Sequence, residues 1–366
     1  MAQEIDEAVR ALMRPSAAVL DPYDPAFSPT RINLSANENT YGMPSAVREE
    51  MLRALAAVTT NRYPLPMSDA LRAEIAAWHG VEASQVIVGN GGDELLYNLF
   101  LAFGGPGHTL VNCPPTFSVY GLYARLAECE VLDVWREPET FAPDVDALVE
   151  AARAASLVVV TSPNNPTGDL FPLEGVRALC EACPGIVLVD EAYGEFAEEG
   201  ASAEPLMADY PNLAILHTFS KAFCLAGARV GYVLASPSVV GALSAVRQPY
   251  SFNAFSQAAA LVAARKRSAF EPTIATIRRE RGRLEEALGR LAPLGVTVWP
   301  SQSNFLCVRM PDAHQVRCRL RDDFSILVRD FSADPGLKGC LRMTVGTPQE
   351  NDAVVTALQA ILSKEA

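Results

Sequence analysis

Short apolar runs alternate with amphipathic segments through the first two thirds of the chain. The runs are QVIVGN (85–90), HTLVNCPP (108–115), EVLDVW (130–135), SLVVVTSP (156–163), GIVLVDEAY (185–193), LAILHTFS (213–220) and ARVGYVLA (228–235). Several are continuously apolar, which is typical of strands that are covered on both faces. The segments between them, such as DELLYNLFLAF and VRALCEAC, have helical periodicity. This alternation predicts an α/β fold with a mostly parallel sheet.

The pattern changes after residue 255. A long polar helix is predicted from about residue 255 to 291, followed by the strand-like runs VTVWP, SNFLCVRM, FSILVRD and CLRMTVG with helices between them and at the end. These elements predict a smaller α+β domain. The segment before residue 40 is rich in proline, and we expect it to pack on the small domain or to reach a neighbouring subunit. The predicted division is an arm (1–40), a large domain (41–255) and a small domain (256–366).

Composition and charge narrow the functional classes. The 366 residues are 49% hydrophobic and 20% charged, with a net charge of −13 and a pI near 4.9. An acidic chain of this kind is a poor partner for nucleic acid, because phosphate binding needs a basic face. There is no apolar run of the roughly 20 residues that a membrane span needs. The first residues, MAQEIDEAVRALMRPS, do not resemble a signal peptide, so we expect a cytoplasmic protein.

The eight cysteines are scattered along the chain, and one C-x-x-C pair is formed by Cys180 and Cys183. A zinc site would need a second pair or nearby histidines, and the four histidines (79, 108, 217 and 314) do not cluster in the sequence. The pair falls at the end of a predicted amphipathic helix. We therefore expect two half-buried thiols one turn apart, and no metal.

Four unusual motifs follow four of the predicted strands. GNGGDEL follows VIV, PNNPTG follows VVVTS, DEAY follows IVLV, and TFSK follows LAIL. In open α/β sheets the functional site lies at the carboxyl ends of the strands. The four motifs therefore point to one edge of the sheet, and together they are more informative than any one of them alone.

The glycines of GNGGDELL allow a close backbone approach, and Asp93 is a suitable N-cap for the following helix. The free N–H groups at such a helix start can bind an anion. A plain glycine turn capped by Asp93 is about as consistent with the residues. The motif is not G-x-G-x-x-G, which argues against a dinucleotide.

Lys221 stands among apolar and small residues in HTFSKAFCLAGAR. A buried lysine tends to lose its proton, so Lys221 is either a packing accident or a nucleophile. Thr218, Ser220 and Arg229 lie close to it in sequence and could bind a phosphate dianion. TFSK also resembles the S-x-x-K pattern, but the other motifs of that enzyme class are missing.

Asp190 ends an apolar strand, where a carboxylate is costly unless it is paired. It could be an N-cap or a salt-bridge partner, or it could pair with a buried cationic ring nitrogen. Asn165 could serve the turn in SPNNPTG, or it could donate to a ring oxygen together with Tyr193. An amine, a carboxylate, an amide, a phenol and a phosphate-binding turn are the groups that pyridoxal phosphate requires.

With these motifs in place, the sequence resembles the fold-type-I pyridoxal-phosphate aminotransferases of class I/II, and more closely the histidinol-phosphate aminotransferases. The matching stretches, in the order found in that family, are LSANENTYGMP (34–44), NRYP (61–64), GNGGDEL (89–95), CPPTFSVY (113–120), SPNNPTG (162–168), DEAYGEF (190–196), HTFSKAFCLAGARVGY (217–232), QPYSFN (248–253), SNFLCVR (303–309), ILVRDFS (326–332) and GCLRMTVGT (339–347). The resemblance implies a mixed, mostly parallel seven-stranded sheet sandwiched by helices, with a smaller α+β domain.

The resemblance also implies roles for single residues. Lys221 is expected to form a Schiff base with the cofactor aldehyde and to move the proton between Cα and C4′, and Asp190 to pair with the pyridine nitrogen. Phe117 is expected to stack on the ring. The ring O3′ would be contacted by Asn165 and Tyr193, and the phosphate would be lined by Gly91, Gly92, Asp93, Thr218, Ser220 and Arg229.

Further implied roles concern the second subunit and the substrate. Tyr63 of NRYP would reach the same phosphate from the partner, so a homodimer with a shared site is expected. Arg342 and Arg329 are expected to bind the acidic groups of the substrates, and Asn37 to lie nearby. Ordinary surface salt bridges are the alternative for the two arginines. The N-terminal region RPSAAVLDPYDPAFSP departs from the pattern of the family, and Tyr23 is the candidate there for the substrate phosphate.

The expected reaction converts histidinol phosphate and 2-oxoglutarate to imidazole-acetol phosphate and glutamate in histidine biosynthesis, by a ping-pong mechanism through pyridoxamine phosphate. Two alternatives use the same scaffold: an aromatic amino-acid aminotransferase and a threonine-phosphate decarboxylase. A regulator with a fused DNA-binding domain is disfavoured, because the chain has no room for such a domain before the matching stretches and its charge is acidic.

Overall fold

The computed structural model describes residues 5–20 and 28–363. Tyr23, a predicted substrate residue, lies outside the described residues. No helix in the described part of the chain is long and apolar enough to cross a membrane.

Helices occupy both the predicted segments and the chain before residue 60. They are α1 (Glu7–Arg10), α2 (Pro15–Ala18), α3 (Ser45–Ala56), α4 (Asp69–His79), α5 (Gly92–Phe103), α6 (Val119–Leu126), α7 (Val145–Ala152), α8 (Leu173–Ala182), α9 (Pro237–Val246), α10 (Ala254–Arg265), α11 (Glu271–Gly289), α12 (Ala313–Phe324) and α13 (Pro348–Leu362).

The strands fall on the predicted apolar runs, with one addition at residues 32–34. They are β1 (Ile32–Leu34), β2 (Val86–Asn90), β3 (Thr109–Asn112), β4 (Glu130–Asp133), β5 (Leu157–Thr161), β6 (Ile186–Asp190), β7 (Leu213–Thr218), β8 (Val230–Ala235), β9 (Thr297–Val298), β10 (Phe305–Arg309), β11 (Ile326–Asp330) and β12 (Cys340–Thr344).

A seven-stranded sheet in the order β2-β8-β7-β6-β5-β3-β4 forms the centre of the larger part of the chain. Strand β8 runs antiparallel to both of its neighbours, and β7, β6, β5, β3 and β4 are parallel to one another. Every residue of β5, β6 and β7 is buried. This is expected for parallel strands with helices on both faces. The predicted α/β fold with a mostly parallel, mixed sheet is confirmed.

Successive residues of each strand contribute to cores on opposite faces of this sheet. In β2, Ile87 packs with α5, α6 and α9 on one face, while Val86 and Val88 pack with α3, α4 and α10 on the other. A further core on this second face contains α7 and α8. Apolar burial on both faces fixes the strand ends and therefore the loops that follow them.

The second sheet has five strands in the order β1-β11-β12-β10-β9. The sequence pattern did not predict β1, which pairs in parallel with β11. It brings the stretch before residue 40 onto the sheet of the predicted small domain, one of the two expected placements for this segment. The other four strands are antiparallel and lie on the predicted runs.

The single long helix predicted from about residue 255 to 291 is wrong. The segment forms α10 and α11, with a 3₁₀ turn at Arg267–Phe270 between them. Pro272 lies in the first turn of α11, where its missing N–H has no helical partner to lose. Helix α10 packs on α3 and α4, beside the seven-stranded sheet. The division into arm, large domain and small domain remains a prediction.

Candidate active site

The predicted motifs converge because β5, β6 and β7 are parallel neighbours. In the register of the sheet, Thr161 at the end of β5 lies opposite Asp190 at the end of β6. Asp190 in turn lies opposite Leu216, two residues before Thr218 at the end of β7. The loops that carry Asn165, Tyr193 and Lys221 therefore leave the sheet along one edge.

Lys221 lies in the loop after β7, and its Nζ donates a hydrogen bond to the carbonyl oxygen of Ala36 at 2.8 Å. The Nζ lies 6.0 Å from the centre of the Tyr193 ring. Burial lowers the pKa of Lys221 to about 8, and the nearby charges of Arg342 and Arg229 act in the same direction. At pH 7 about a tenth of this amine is therefore neutral, far more than for a lysine of ordinary pKa. The neutral amine is the form that attacks a carbonyl group.

Asp190 is 4% exposed. Its Oδ2 accepts a hydrogen bond from the hydroxyl of Tyr120 at 2.6 Å, and its Oδ1 accepts one from the amide of Ala192 at 3.0 Å. Burial raises the pKa of Asp190 to about 6. Within the described residues no cationic side chain forms a salt bridge with it, so the carboxylate is hydrogen-bonded but not neutralised.

Tyr193 connects this edge to the second sheet. Its hydroxyl accepts a hydrogen bond from Asn37 Nδ2 at 2.9 Å, and its ring meets that of Phe305 edge-on at 4.9 Å. Asn37 is 1% exposed, and its backbone amide donates to Thr344 Oγ1 at 2.9 Å. Asn304 Nδ2 donates to the carbonyl oxygen of Asn37 at 3.0 Å. Asn37 is therefore held by β12 and β10 while it contacts Tyr193.

The predicted arginine pair lies on adjacent strands, since Arg329 on β11 is opposite Arg342 on β12 in the register. Arg342 is 7% exposed and donates to Asn165 Oδ1 and to the carbonyl oxygen of Ser35, each at 2.6 Å. Both guanidinium groups lie over the ring of Phe331, at 5.8 Å for Arg329 and 5.4 Å for Arg342. The structure therefore brings Arg342 and Asn165 together and places Arg329 beside them.

The predicted anion-binding turn joins β2 to α5. Gly91 has a φ of +86°, and a Cβ on it would lie 2.6 Å from Nη2 of Arg229. That Nη2 also donates to Asp93 Oδ2 at 2.9 Å. The proposed N-cap role of Asp93 is wrong: α5 begins at Gly92, Gly91 is the N-cap, and Asp93 lies in the first turn. Its carboxylate orients Arg229 across the helix start.

Two residues with hydroxyl groups, Thr218 and Ser220, lie just before Lys221 in the chain. Thr218 Oγ1 donates to the carbonyl oxygen of Val230 at 3.1 Å and accepts from the amide of Ser220 at 3.1 Å. Both residues are buried, at 6% and 7% exposure. Together with Gly91, Gly92 and Arg229, they offer backbone amides, hydroxyls and a guanidinium group, which are groups of the kind that can bind a phosphate dianion.

Two predicted aromatic contacts differ in their surroundings. Phe117 is partly buried and meets Tyr120 edge-on at 5.6 Å, which places it next to the side chain that bonds Asp190. Tyr63 is 81% exposed and stacks on Tyr250 at 4.6 Å. Within the described residues no hydrogen bond or ring contact joins Tyr63 to the other predicted site residues of its own chain.

Tyr120 is a site residue that the sequence interpretation missed. Besides Asp190, its hydroxyl contacts Thr161 Oγ1 at 2.8 Å. The signal was available in CPPTFSVY, because Tyr120 follows Phe117 by three residues and helical spacing puts both on one face. The histidines are far apart in the sequence, but two of them lie together in the fold. The rings of His79 and His217 lie 5.3 Å apart, with Glu204 beside them. Cys180 and Cys183 are free and buried.

Comparison with known proteins agrees with this geometry. Residues 29–358 match the family described as aminotransferase class I and II. A histidinol-phosphate aminotransferase of Thermococcus kodakarensis is 41% identical over 95% of this chain and 98% of its own length. The protein of that name from Thermobifida fusca is 40% identical over 92% of each chain. The crystal structure of histidinol-phosphate aminotransferase from Sinorhizobium meliloti, in complex with pyridoxal-5'-phosphate, superposes with a TM-score of 0.87 at 25% identity, covering 97% of this chain and 98% of that one.

The chain belongs to the class I and II aminotransferases, and within them to the histidinol-phosphate aminotransferase family. The predicted family is therefore confirmed, and with it the fold-type-I architecture.

Proposed function

We propose that this protein is a pyridoxal-phosphate-dependent transaminase of histidine biosynthesis. It converts histidinol phosphate and 2-oxoglutarate to imidazole-acetol phosphate and glutamate by a ping-pong mechanism. The proposal rests on Lys221 and Asp190, which follow or end neighbouring strands. Lys221 is a buried amine whose pKa is lowered. Asp190 is a buried carboxylate that has no cationic partner in the described part of the chain. Relatives at about 40% identity bear the name of this activity.

The residues present fit the cofactor at both of its ends. A protonated pyridine nitrogen beside Asp190 would supply the cation that this buried carboxylate lacks. At the other end, Gly91 has no side chain, and a Cβ at this position would clash with Arg229. The cofactor phosphate would be lined by Gly91, Gly92, Asp93, Thr218, Ser220 and Arg229. The ring oxygen would be contacted by Asn165 and Tyr193, and the ring face by Phe117.

Bound pyridoxal phosphate supplies an aldehyde that links to an amine and a ring that withdraws electrons from the substrate Cα. The protein supplies the rest. The neutral amine of Lys221 would hold the cofactor and would act as the base that takes the proton from the substrate Cα. Tyr120 and the amide of Ala192 hold the Asp190 carboxylate in place by hydrogen bonds. Asn37 fixes the hydroxyl of Tyr193 in the same way.

The arginine pair accounts for two different substrates in one site. Arg342 and Arg329 lie opposite each other on β12 and β11 and share the ring of Phe331. Guanidinium groups bind carboxylates and phosphates with paired hydrogen bonds. Arg342 is therefore assigned to the acidic group of each substrate in turn, with Arg329 as a second contact and Asn37 nearby. Tyr23 is kept as the candidate for the substrate phosphate.

The active enzyme is proposed to be a cytoplasmic homodimer with shared active sites. Tyr63 and Leu65, at 81% and 61% exposure, form an apolar surface with Tyr250. Such a surface is typical of an interface between subunits. The cytoplasmic location is supported by the cysteines, since all eight are free thiols. The acidic net charge of −13 agrees with the absence of a nucleic-acid partner.

The test is a single half-reaction of the cofactor-loaded protein with L-histidinol phosphate, with L-phenylalanine and L-threonine phosphate in parallel. We expect histidinol phosphate to convert the visible absorption of the lysine-bound cofactor to the near-ultraviolet absorption of pyridoxamine phosphate much faster than phenylalanine does. Faster conversion by phenylalanine would support an aromatic aminotransferase instead. Release of CO₂ from threonine phosphate would support the decarboxylase. Lys221→Ala, which removes the attacking amine, is the control that should give no conversion.

A further inference from the structure

A second polar pocket lies behind the candidate active site, on the other side of the strands that carry it. It has an empty volume of about 540 Å³, part of which is open to solvent. Glu191 and His217 both line it. They are the neighbours of Asp190 and Thr218, and adjacent residues of a strand point to opposite faces of a sheet. The pocket therefore shares its strands with the active site but not its side chains.

The pocket wall is rich in carboxyl groups. Its titratable residues are three glutamates and two histidines, Glu191, Glu195, Glu204, His79 and His217, and no lysine or arginine is among the lining residues. Oε2 of Glu195 is buried without a hydrogen-bond partner in the described structure. Burial raises the pKa of Glu191 to about 7 and that of Glu195 to about 8, so these two carboxyl groups are only partly ionised near neutral pH. A bound cation would favour their ionised forms.

Three of these side chains lie close together. His79, Glu204 and His217 each offer one ligand atom, and the three atoms lie within 4.8 Å of one another. Nδ1 of His79 is 2.8 Å from Glu204 Oε2. Two imidazoles and one carboxylate, with room for water, form the ligand set of open zinc sites in proteins.

His217 is an independent sign that a ligand is missing from this cluster. It is 5% exposed, and its Nε2 is buried without a hydrogen bond in the described structure. The Glu191 Oε2 lies 3.9 Å from it, beyond hydrogen-bond distance.

The surroundings of His79 match those of a metal-bound histidine. Its Nε2 lies 2.9 Å from the hydroxyl of Tyr232, leaving Nδ1 on the side of Glu204. A histidine that binds a metal through one nitrogen usually forms a hydrogen bond through the other, and this bond fixes the ring. His79 also stacks on Trp78 at 4.6 Å, which restricts its rotation further.

We propose that His79, Glu204 and His217 form a binding site for a divalent transition-metal ion of the zinc class. Water would complete the coordination from the open side of the pocket. The ion would join the end of α4 to β7 and to the 3₁₀ turn at Glu204–Ala208. Its position behind the sheet makes the site structural, separate from the transamination chemistry.

The test uses the cofactor-loaded protein after treatment with a chelator and desalting. Co²⁺ is added, and bound metal is counted by atomic emission while the visible d–d absorption is recorded. We expect about one Co²⁺ per chain with the strong absorption of a four-coordinate site, displaced by Zn²⁺ and not by Mg²⁺. Mg²⁺ is excluded because it prefers oxygen ligands.

Glu204→Gln and His217→Ala should each weaken Co²⁺ binding tenfold or more and remove the d–d absorption. His108→Ala, which removes a histidine outside the cluster, is the matched control and should bind like the wild type. Far-ultraviolet circular dichroism of each variant checks the fold; Glu204→Gln is nearly isosteric and decides the matter if His217→Ala misfolds. Failure of the wild type to bind, or unchanged binding in Glu204→Gln, would overturn the proposal.

Discussion

The buried charge of Asp190, which the proposed function needs, lowers the free energy of unfolding. Burial raises its pKa from 3.8 to about 6, so between about pH 4 and pH 6 the folded chain binds more protons than the unfolded chain. Stability therefore falls as the pH rises through this window, and the full penalty is present above pH 6. A shift of this size corresponds to about 3 kcal/mol.

Asp190→Asn removes the buried charge and can keep the hydrogen bond from Tyr120. At about pH 7.5 we expect the cofactor-free variant to be more stable than the wild type by about 2–4 kcal/mol, a difference that disappears by about pH 4. Urea unfolding at both pH values measures it. The same variant should bind pyridoxal phosphate more weakly, because the pyridine nitrogen loses its counter-ion. Asp209→Asn, at an exposed acid, is the control; a less stable Asp190→Asn protein at pH 7.5 would contradict this account.

At the scale of elements, the turn from β2 into α5 shows why a glycine is needed at one position. Gly91 has a φ of +86°, and a Cβ there would lie 2.6 Å from Arg229 Nη2. Gly107 has a similar φ of +80° with no atom within 4 Å of its Cβ position. Alanine at either position strains the backbone because both φ values are positive, and only at residue 91 does it also displace Arg229.

The expected result is that Gly91→Ala and Gly107→Ala each lose stability, by about 1 kcal/mol or more. Only Gly91→Ala should weaken the binding of pyridoxal phosphate, by about tenfold or more, because the guanidinium loses its place at the phosphate. Thermal unfolding of the cofactor-free proteins and titration with the cofactor separate the two effects. Equal cofactor affinities in the two variants would remove Arg229 and this turn from the proposed phosphate site.

Much of the fold could be predicted because most elements carry their own signal. The continuous apolar runs of β5, β6 and β7 needed no information from the rest of the chain. Strand β1, by contrast, has three residues, INL, and exists because β11 offers it an edge. The break between α10 and α11 was missed because the polar periodicity continues across it, although Pro272 marked the new helix start.

The residues of the candidate sites likewise differ in how far the sequence predicts them. Lys221, Asp190 and Asn165 could be predicted because each follows a strand whose direction the pattern determined. The pocket of His79, Glu204 and His217 could not be predicted from the sequence. His79 and Glu204 are more than a hundred residues apart, and the three side chains meet only in the folded chain. The N-cap role predicted for Asp93 was wrong because two consecutive glycines precede it. They leave the first residue of the helix undefined until φ of Gly91 is known.

The proposed active site of the whole molecule requires a second subunit. Tyr63 is 81% exposed and makes its ring contact with Tyr250, so its proposed contact with a phosphate must be made in the partner. Lys221→Ala and Tyr63→Ala proteins should each be impaired as pure dimers, for different reasons. In a mixed dimer, one site contains both an intact Lys221 and an intact Tyr63.

Activity should therefore return when the two impaired variants are dissociated together and allowed to reassociate, to about a quarter of the wild-type level for random pairing. Analytical ultracentrifugation should give twice the chain mass of 39.3 kDa. Tyr97→Ala, at a 40% exposed tyrosine on α5, is the control and should be active without mixing. A monomer in solution, or no recovery on mixing, would contradict the shared site.

If the Lys221 amine holds the cofactor, chemical reduction will trap the cofactor on this residue. The cofactor-loaded protein is reduced with borohydride, digested, and mapped by mass spectrometry. We expect a phosphopyridoxyl group on Lys221 and none on Lys266 or Lys338, with no labelled peptide from Lys221→Ala. A label on another lysine, or its persistence in Lys221→Ala, would contradict the account.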